Sequence, residues 1–194
     1  MEMPFDTDPD VSDDVLLARF ARGEASAARV LTLRLTPVVM AHAFRLLGNR
    51  AEAEDVTQDA MLRLWRMAPD WQPGTARVTT WLYRVTANLC IDRLRRTARS
   101  APLDTVDEPP DERDGPAETL QMRARSAALQ RALDTLPDRQ RQAVVLRHID
   151  ELSNPEIAGI MDISVEAVES LLARGKRALV AVLAGRKDDL GMLQ

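Results

Sequence analysis

The stretch Ser153–Leu179, "SNPEIAGIMDISVEAVESLLARGKRAL", decides the fold. Ser153 is a capping residue, and Ile157, Ala158, Ile160 and Met161 follow at helical spacing. Asp162-Ile163 then breaks the pattern as a tight turn. Ser164 caps a longer helix whose Val165, Val168, Leu171 and Leu172 point inward. A short helix, a tight turn and a longer helix with basic residues near its end form a helix-turn-helix. Many helical hairpins share such caps and spacing without touching DNA, so this segment alone leaves DNA binding and plain packing both open.

Working outward, the same helical period fills the rest of the chain. "PDRQRQAVVLRHID" precedes the hairpin, with Pro137 in its first turn, where the missing N–H costs nothing. "ETLQMRARSAALQRALDTL" precedes that. Residues 98–118 differ. Pro102, Pro109, Pro110, Gly115 and Pro116 sit in this stretch, and its part 101–118 holds Asp104, Asp107, Glu108, Asp111, Glu112, Asp114 and Glu118 against Arg113 alone. Such composition buries little apolar surface and reads as a linker, with a reach of roughly 70 Å when extended. Residues 12–97 are helical again. "SDDVLLARFARG" runs from Ser12 to Gly23, an apolar helix from about Glu24 to Leu47 contains Pro37, and "AEAEDVTQDAMLRLWRM" follows. Pro69, Pro73 and Gly74 mark a loop, and "TTWLYRVTANLCIDRLRR" (Thr79–Arg96) closes the segment. Strand patterning is poor throughout. The expectation is an all-α protein of two small helical domains joined by a flexible acidic linker: tail 1–11, first domain 12–97, linker 98–118, second domain 119–185, tail 186–194.

Charge distribution says more than the net charge of −4. The N-terminal stretch 1–14 holds Glu2, Asp6, Asp8, Asp10, Asp13 and Asp14. Without it and the linker the remainder is net basic, almost entirely through arginine; Lys176 and Lys187 are the lysines. In the Thr79–Arg96 segment, Val78, Leu82, Val85 and Leu89 form one apolar stripe. Thr80, Arg84 and Asn88 occupy the other face, and Arg93, Arg95 and Arg96 end it. The single cysteine, Cys90, allows no internal disulfide and is read as core rather than as a redox sensor. His42 and His148 have no metal spacing, so neither a metal nor a cofactor is expected. No apolar run is read as long enough to cross a bilayer, the acidic N-terminus is not a signal peptide, and a cytoplasmic location is expected. An enzyme has little support, because the sequence holds no glycine-rich phosphate loop, metal cluster or nucleophile–base pair.

Taken together, "AEAEDVTQDAMLRLWR", "TTWLYRVTANLCIDRLRR" and "LPDRQRQAVVLRHIDELSNPEIAGIMDISVEAVESLLARGKRAL" resemble the sigma-70 family, specifically its extracytoplasmic-function (group 4) sigma factors. The resemblance implies a function: directing core RNA polymerase to promoters and helping to open the −10 region. It implies that Glu52–Met67 docks on the polymerase β′ subunit. Asp55, Gln58, Asp59 and Leu62 share one face there, although a solvated acidic face has the same pattern. It implies that Thr79–Arg96 reads the −10 element through Thr80, Arg84, Asn88, Arg93, Arg95 and Arg96. The loop Pro69–Arg77 would hold a flipped base, with Trp71 and Arg77 at hand; alternatively Trp71 covers the end of the domain. Trp81 and Tyr83 are assigned to packing. Ser164–Lys176 would read the −35 element with Ser164, Glu166, Ala167, Ser170, Leu171 and Arg174, and Lys176 and Arg177 would lie on the DNA backbone. The chain departs from the family in carrying Glu169 and Leu171 where basic residues are common, which puts its −35 preference in doubt. Arg139, Arg141 and Arg147 either add phosphate contacts or are solvated. Expected partners are core polymerase (β′ and β subunits), promoter DNA and an anti-sigma factor, with no membrane contact except through a membrane-bound anti-sigma. The alternative function is a sigma mimic that sequesters an anti-sigma factor without touching DNA. An ordinary helix-turn-helix regulator is a further rival.

Overall fold

The computed structural model describes residues 11–72, 74, 77–100 and 117–184. These form eight α-helices and no strand: α1 Asp13–Ala21, α2 Ala25–Leu47, α3 Arg50–Met67, α4 Val78–Ser100, α5 Ala117–Asp134, α6 Asp138–His148, α7 Asn154–Met161 and α8 Val165–Ala184. One 3-10 turn, Ala68–Asp70, follows α3.

Local chemistry sets the helix ends. The Ser12 hydroxyl accepts from the Val15 N–H at 3.4 Å and opens α1. Gly48 ends α2 in the left-handed region at φ 70°, donating back to the Phe44 carbonyl. The Asn49 side chain at once caps α3 by accepting from the Glu52 N–H at 3.0 Å. α2 continues through Pro37, giving up one internal hydrogen bond. At the hairpin, the Glu156 carboxylate takes both the backbone N–H (2.9 Å) and the hydroxyl (2.6 Å) of Ser153. Asp162 makes the left-handed turn at φ 53° between α7 and α8.

α2 is the axis of the molecule. By length and composition it is apolar enough to cross a membrane, with a mean hydropathy of 1.4, so the expectation that no run reaches that length is corrected. Its place in the fold explains the composition. Leu31, Leu35, Val39, His42, Ala43 and Leu46 form a buried stripe, and α1, α3 and α4 pack around it. Leu17, Leu64, Val78 and Leu82 complete the first core. In the second lobe, Ile157, Ile160, Met161 and Val168 pack on Ala143 and Leu146.

A third core lies between the lobes. Ala43, Leu46, Ala53, Val56, Ala87 and Cys90 of the first meet Leu133, Leu136, Val144 and Val145 of the second. The lobes are therefore packed together. α4 runs on to Ser100 and α5 begins at Ala117, so regular helix extends into both ends of the segment expected as linker. Residues 101–116 of that linker, residues 1–10 of the expected N-terminal tail, residue 185 and the expected C-terminal tail 186–194 lie outside the described residues.

Candidate nucleic-acid interface

The two sides of α4 divide as its periodicity requires. Val78 and Leu82 are buried, Val85 and Leu89 are half-buried against the first core, and Arg84, Asn88, Arg95 and Arg96 are exposed. Arg84, Asn88 and Arg95 fall at i, i+4 and i+11, one strip of helix surface. None of the three pairs with another described side chain. Thr80 is half-buried one turn earlier, and Arg77 is exposed just before the helix begins. Arg93 is different: its Nη1 donates to Asp55 Oδ2 at 3.0 Å and to the Glu52 carbonyl at 3.3 Å. The guanidinium ties α4 to α3 instead of facing out with its neighbours.

Trp71 sits at the end of the first domain. The ring is half-buried against the first core, and its Nε1 donates to Asp14 Oδ1 at 3.1 Å. Trp81 is likewise half-buried there, and Tyr83 is buried. Pro73, Thr75 and Ala76 of the expected specificity loop lie outside the described residues.

On α3, Asp55, Gln58, Asp59 and Leu62 are all exposed, while Ala53, Val56, Ala60 and Leu64 turn inward. Beside them runs a groove of about 460 Å³, lined by Met40, Met61, Leu62 and Trp65 with Arg50, Glu54 and Gln58 at its rim. Acidic side chains next to an apolar trough suit a helical partner that carries both arginine and leucine-like groups.

α8 starts as the sequence implies: Ser164 Oγ accepts from the Ala167 N–H at 3.2 Å. Its free N-terminal N–H groups attract an anion, and the protein supplies one. A backbone hydrogen bond from its own N–H, then the Ser164 hydroxyl, hold the Glu166 carboxyl below the usual range. Ser164, Glu166, Glu169, Arg174, Lys176 and Arg177 are exposed, and Ala167 and Ser170 are half-buried. Arg174 Nη2 donates to Ser170 Oγ at 2.9 Å. Leu171, nominated for base contact, packs with Val165 and Leu172 against the second-lobe core, because it lies on the same side of the helix as Val168.

The three arginines beyond this helix part company. Arg139 is exposed, and Arg147 Nη1 donates to the Leu152 carbonyl at 2.9 Å. Arg141 is neither solvated nor free for phosphate: it is buried, and its Nη1 donates to the Leu46 carbonyl of the other lobe at 2.6 Å. The sequence reading also missed Asp150, whose Oδ2 lies 2.7 Å from His42 Nδ1 across the lobes. One signal for it was present: His42 interrupts the apolar stripe of α2, and a buried imidazole calls for a polar partner. Cys90 is fully buried, and that burial pushes its thiol up to about 12, with Arg93 pulling down and Glu52 pushing up by less.

Comparison with known proteins agrees over both lobes. Sigma-70 region 2 matches residues 31–100, and Sigma-70, region 4 matches residues 126–179. The chain is 39% identical over 150 residues to the ECF RNA polymerase sigma factor SigE of Mycolicibacterium smegmatis, covering 76% of this chain and 58% of that one. It is 34% identical over 146 residues to SigW of Bacillus subtilis, covering 70% of this chain and 78% of that one. The ECF RNA polymerase sigma-E factor of Escherichia coli is 28% identical over 87% of this chain and 93% of its own length. Among solved structures, CnrH in complex with the cytosolic domain of CnrY superposes with a TM-score of 0.65 at 29% identity, over 89% of this chain and 97% of that one. The sigma factor RpoE of Bartonella quintana, solved with the anti-sigma factor NepR, superposes with a TM-score of 0.62 at 21% identity, covering 79% of this chain and 94% of that one, and shares the fold.

Proposed function

Because the chain belongs to the extracytoplasmic-function sigma factors of the sigma-70 family, transcription initiation factors that direct RNA polymerase to promoters, we propose how its residues divide that work. α3 docks on core polymerase through Asp55, Gln58, Asp59 and Leu62, with the neighbouring groove receiving apolar side chains of the β′ subunit. α4 presents Arg84, Asn88, Arg95 and Arg96 to the −10 element, where arginine neutralises phosphate and the Asn88 amide pairs with a base edge. α8 enters the major groove of the −35 element with Glu166 and Ser170 toward base edges and Arg174, Lys176 and Arg177 toward phosphates. Glu166 and Glu169 favour cytosine, whose amino group donates to a carboxylate, over a phosphate contact. The work is binding and strand separation, with no catalytic group needed. It places the protein in the cytoplasm, with an anti-sigma factor as regulator.

The observation that carries this reading is the exposed strip Arg84–Asn88–Arg95 opposite the buried Val78 and Leu82. A sigma mimic that only sequesters an anti-sigma factor has no use for that strip. The experiment is promoter selection from a random library by core polymerase reconstituted with the chain, followed by run-off transcription. Initiation from a defined −35/−10 pair supports the reading, and absence of any initiation refutes it. Asp55→Arg with Asp59→Arg should abolish association with core while leaving the helical content intact. Normal association of that variant would place the docking face elsewhere.

A further inference from the structure

The chain enters α4 beside an open cleft. The cleft has a volume of about 360 Å³ and is lined by Asp13 and Asp14 at the start of α1, Arg77, Val78 and Thr79 at the start of α4, and Arg34 of α2. Where side chains do not fill the space, polar contacts at its edge fix how the two helix starts sit.

Those contacts form a series. Arg34 Nη1 donates to the Val11 carbonyl at 2.6 Å and lies 3.5 Å from Asp13 Oδ1, which pins the residues leading into α1 onto α2. Ser12 caps the helix at that point. Asp14 thus stands on a fixed base, and its Oδ1 accepts the Trp71 indole N–H at 3.1 Å. An indole has one donor and no acceptor, so this bond orients the ring beyond what packing does, and the charge on the acceptor strengthens it. Trp71 follows the 3-10 turn after α3, with its backbone N–H on the Ala68 carbonyl at 3.2 Å. Its ring is half-buried against the first core. The chain then runs to Arg77, which is exposed and whose carbonyl accepts the Trp81 N–H at 3.1 Å as α4 begins. Asp14 lies before the family-matched residues 31–100, so that match assigns it no role.

We infer that Asp14 is a positioning residue for −10 recognition: through the Trp71 indole it holds the chain entering α4, and so sets how Arg77 and the first turn of α4 meet the nucleotide beside them. This rests on the proposed reading of the −10 element by α4; the contact between Asp14 and Trp71 does not. Arg77 precedes Asn88 by 11 residues, about 16 Å along a helix. That is several nucleotide steps at about 3.4 Å each in a duplex, so the nucleotide set by Asp14 differs from the one paired with Asn88.

The test reconstitutes full-length variants with core polymerase and ranks, by competition, promoters that vary one −10 position at a time. Asp14→Ala should flatten discrimination by about threefold to tenfold, the range one hydrogen bond supplies. It should do so at one position, other than the one Asn88→Ala alters, with association to core unchanged. A residue that only supports the fold would lower the use of all promoters alike and keep their ranking. Asp14→Asn keeps an acceptor oxygen for the indole and should retain the parent ranking. Trp71→Phe keeps a ring and removes the donor, and in that background Asp14→Ala should change the ranking no further. A parent ranking in Asp14→Ala, or an equal Asp14→Ala effect with and without the indole, overturns the assignment. If Asp14→Ala loses its helical circular dichroism, Trp71→Phe decides, and a parent ranking there overturns it. Urea unfolding of the parent, the two single variants and the double variant tests the contact without polymerase or DNA. The two substitutions should be non-additive, and additivity overturns the positioning whatever the promoters show. Non-additive unfolding beside a parent holoenzyme with no −10 preference would instead locate the failure in the proposed reading by α4, and the positioning role would fall with it.

Discussion

Gly175 offers a prediction whose sign depends on one neighbour. It lies inside α8 where that helix crosses α6, and a Cβ built on it would sit 2.6 Å from Val144 Cγ2. Val144 is buried, and a β-branched side chain in a helix has essentially one rotamer, so it cannot swing aside. Gly175→Ala therefore sets two effects against each other. Alanine gains about 1 kcal/mol over glycine in a helix interior, while forcing a methyl into a packed contact costs about 1–3 kcal/mol. The net expectation in the parent is a loss of up to about 2 kcal/mol. Val144→Ala alone loses about 2 kcal/mol from two buried methyl groups and their space. In that background the obstruction is gone, and the same Gly175→Ala change should turn stabilising by up to about 1 kcal/mol. The coupling is then about 1–3 kcal/mol, well above the few tenths seen for independent positions. Urea unfolding of the four proteins, followed by far-UV circular dichroism, measures it. A Gly175→Ala effect of the same sign and size in both backgrounds would refute the claim that Val144 is what keeps this position glycine.

Two further outcomes follow from single side chains. Asn88→Ala should leave association with core polymerase intact and change discrimination at one −10 position, measured by competition among promoter variants; an unchanged preference removes Asn88 from base reading. The Ser153 hydroxyl, then its N–H, hold the Glu156 carboxyl below its ordinary value, with Arg77 adding a smaller pull. A depressed folded value stabilises the fold above the ordinary carboxylate pKa and loses that support as pH falls. Glu156→Gln keeps a capping amide, so it should be less stable than the parent near pH 7 and converge on it in acid below about pH 4. A difference that widens in acid would reverse that assignment.

The helices were legible in the sequence because each carries its own stop signals. Gly48-Asn49, Ser153 with Glu156, and Asp162 all act within a few residues of the chain they terminate, so spacing alone locates them. The outward strip Arg84–Asn88–Arg95 was legible for the same reason, since periodicity divides a helix into faces. Arg93 was not, because it is decided by a neighbour distant in sequence: Asp55 draws it in. Leu171 was readable both ways, inward by its spacing from Val168 and outward by the resemblance, and the spacing describes its packing. The apolar length of α2 was underread, since Arg29, Arg34 and Pro37 interrupt it in the sequence although its mean hydropathy matches that of a spanning helix. The joint between the lobes escaped most completely. Arg141 looks like any surface cation until the carbonyl of Leu46, 95 residues away, is seen beneath it.

That contact bears on how such proteins are recombined. Two lobes matched by separate family regions invite chimeras, in which one lobe is exchanged for that of a relative. In this chain the incoming lobe must also bring an amide and a guanidinium at the positions of Gln130 and Arg141, or the end of α2 is left bare. A hybrid lacking them would lose both contacts that cross from the second lobe to the end of that helix, and would be less stable than either parent.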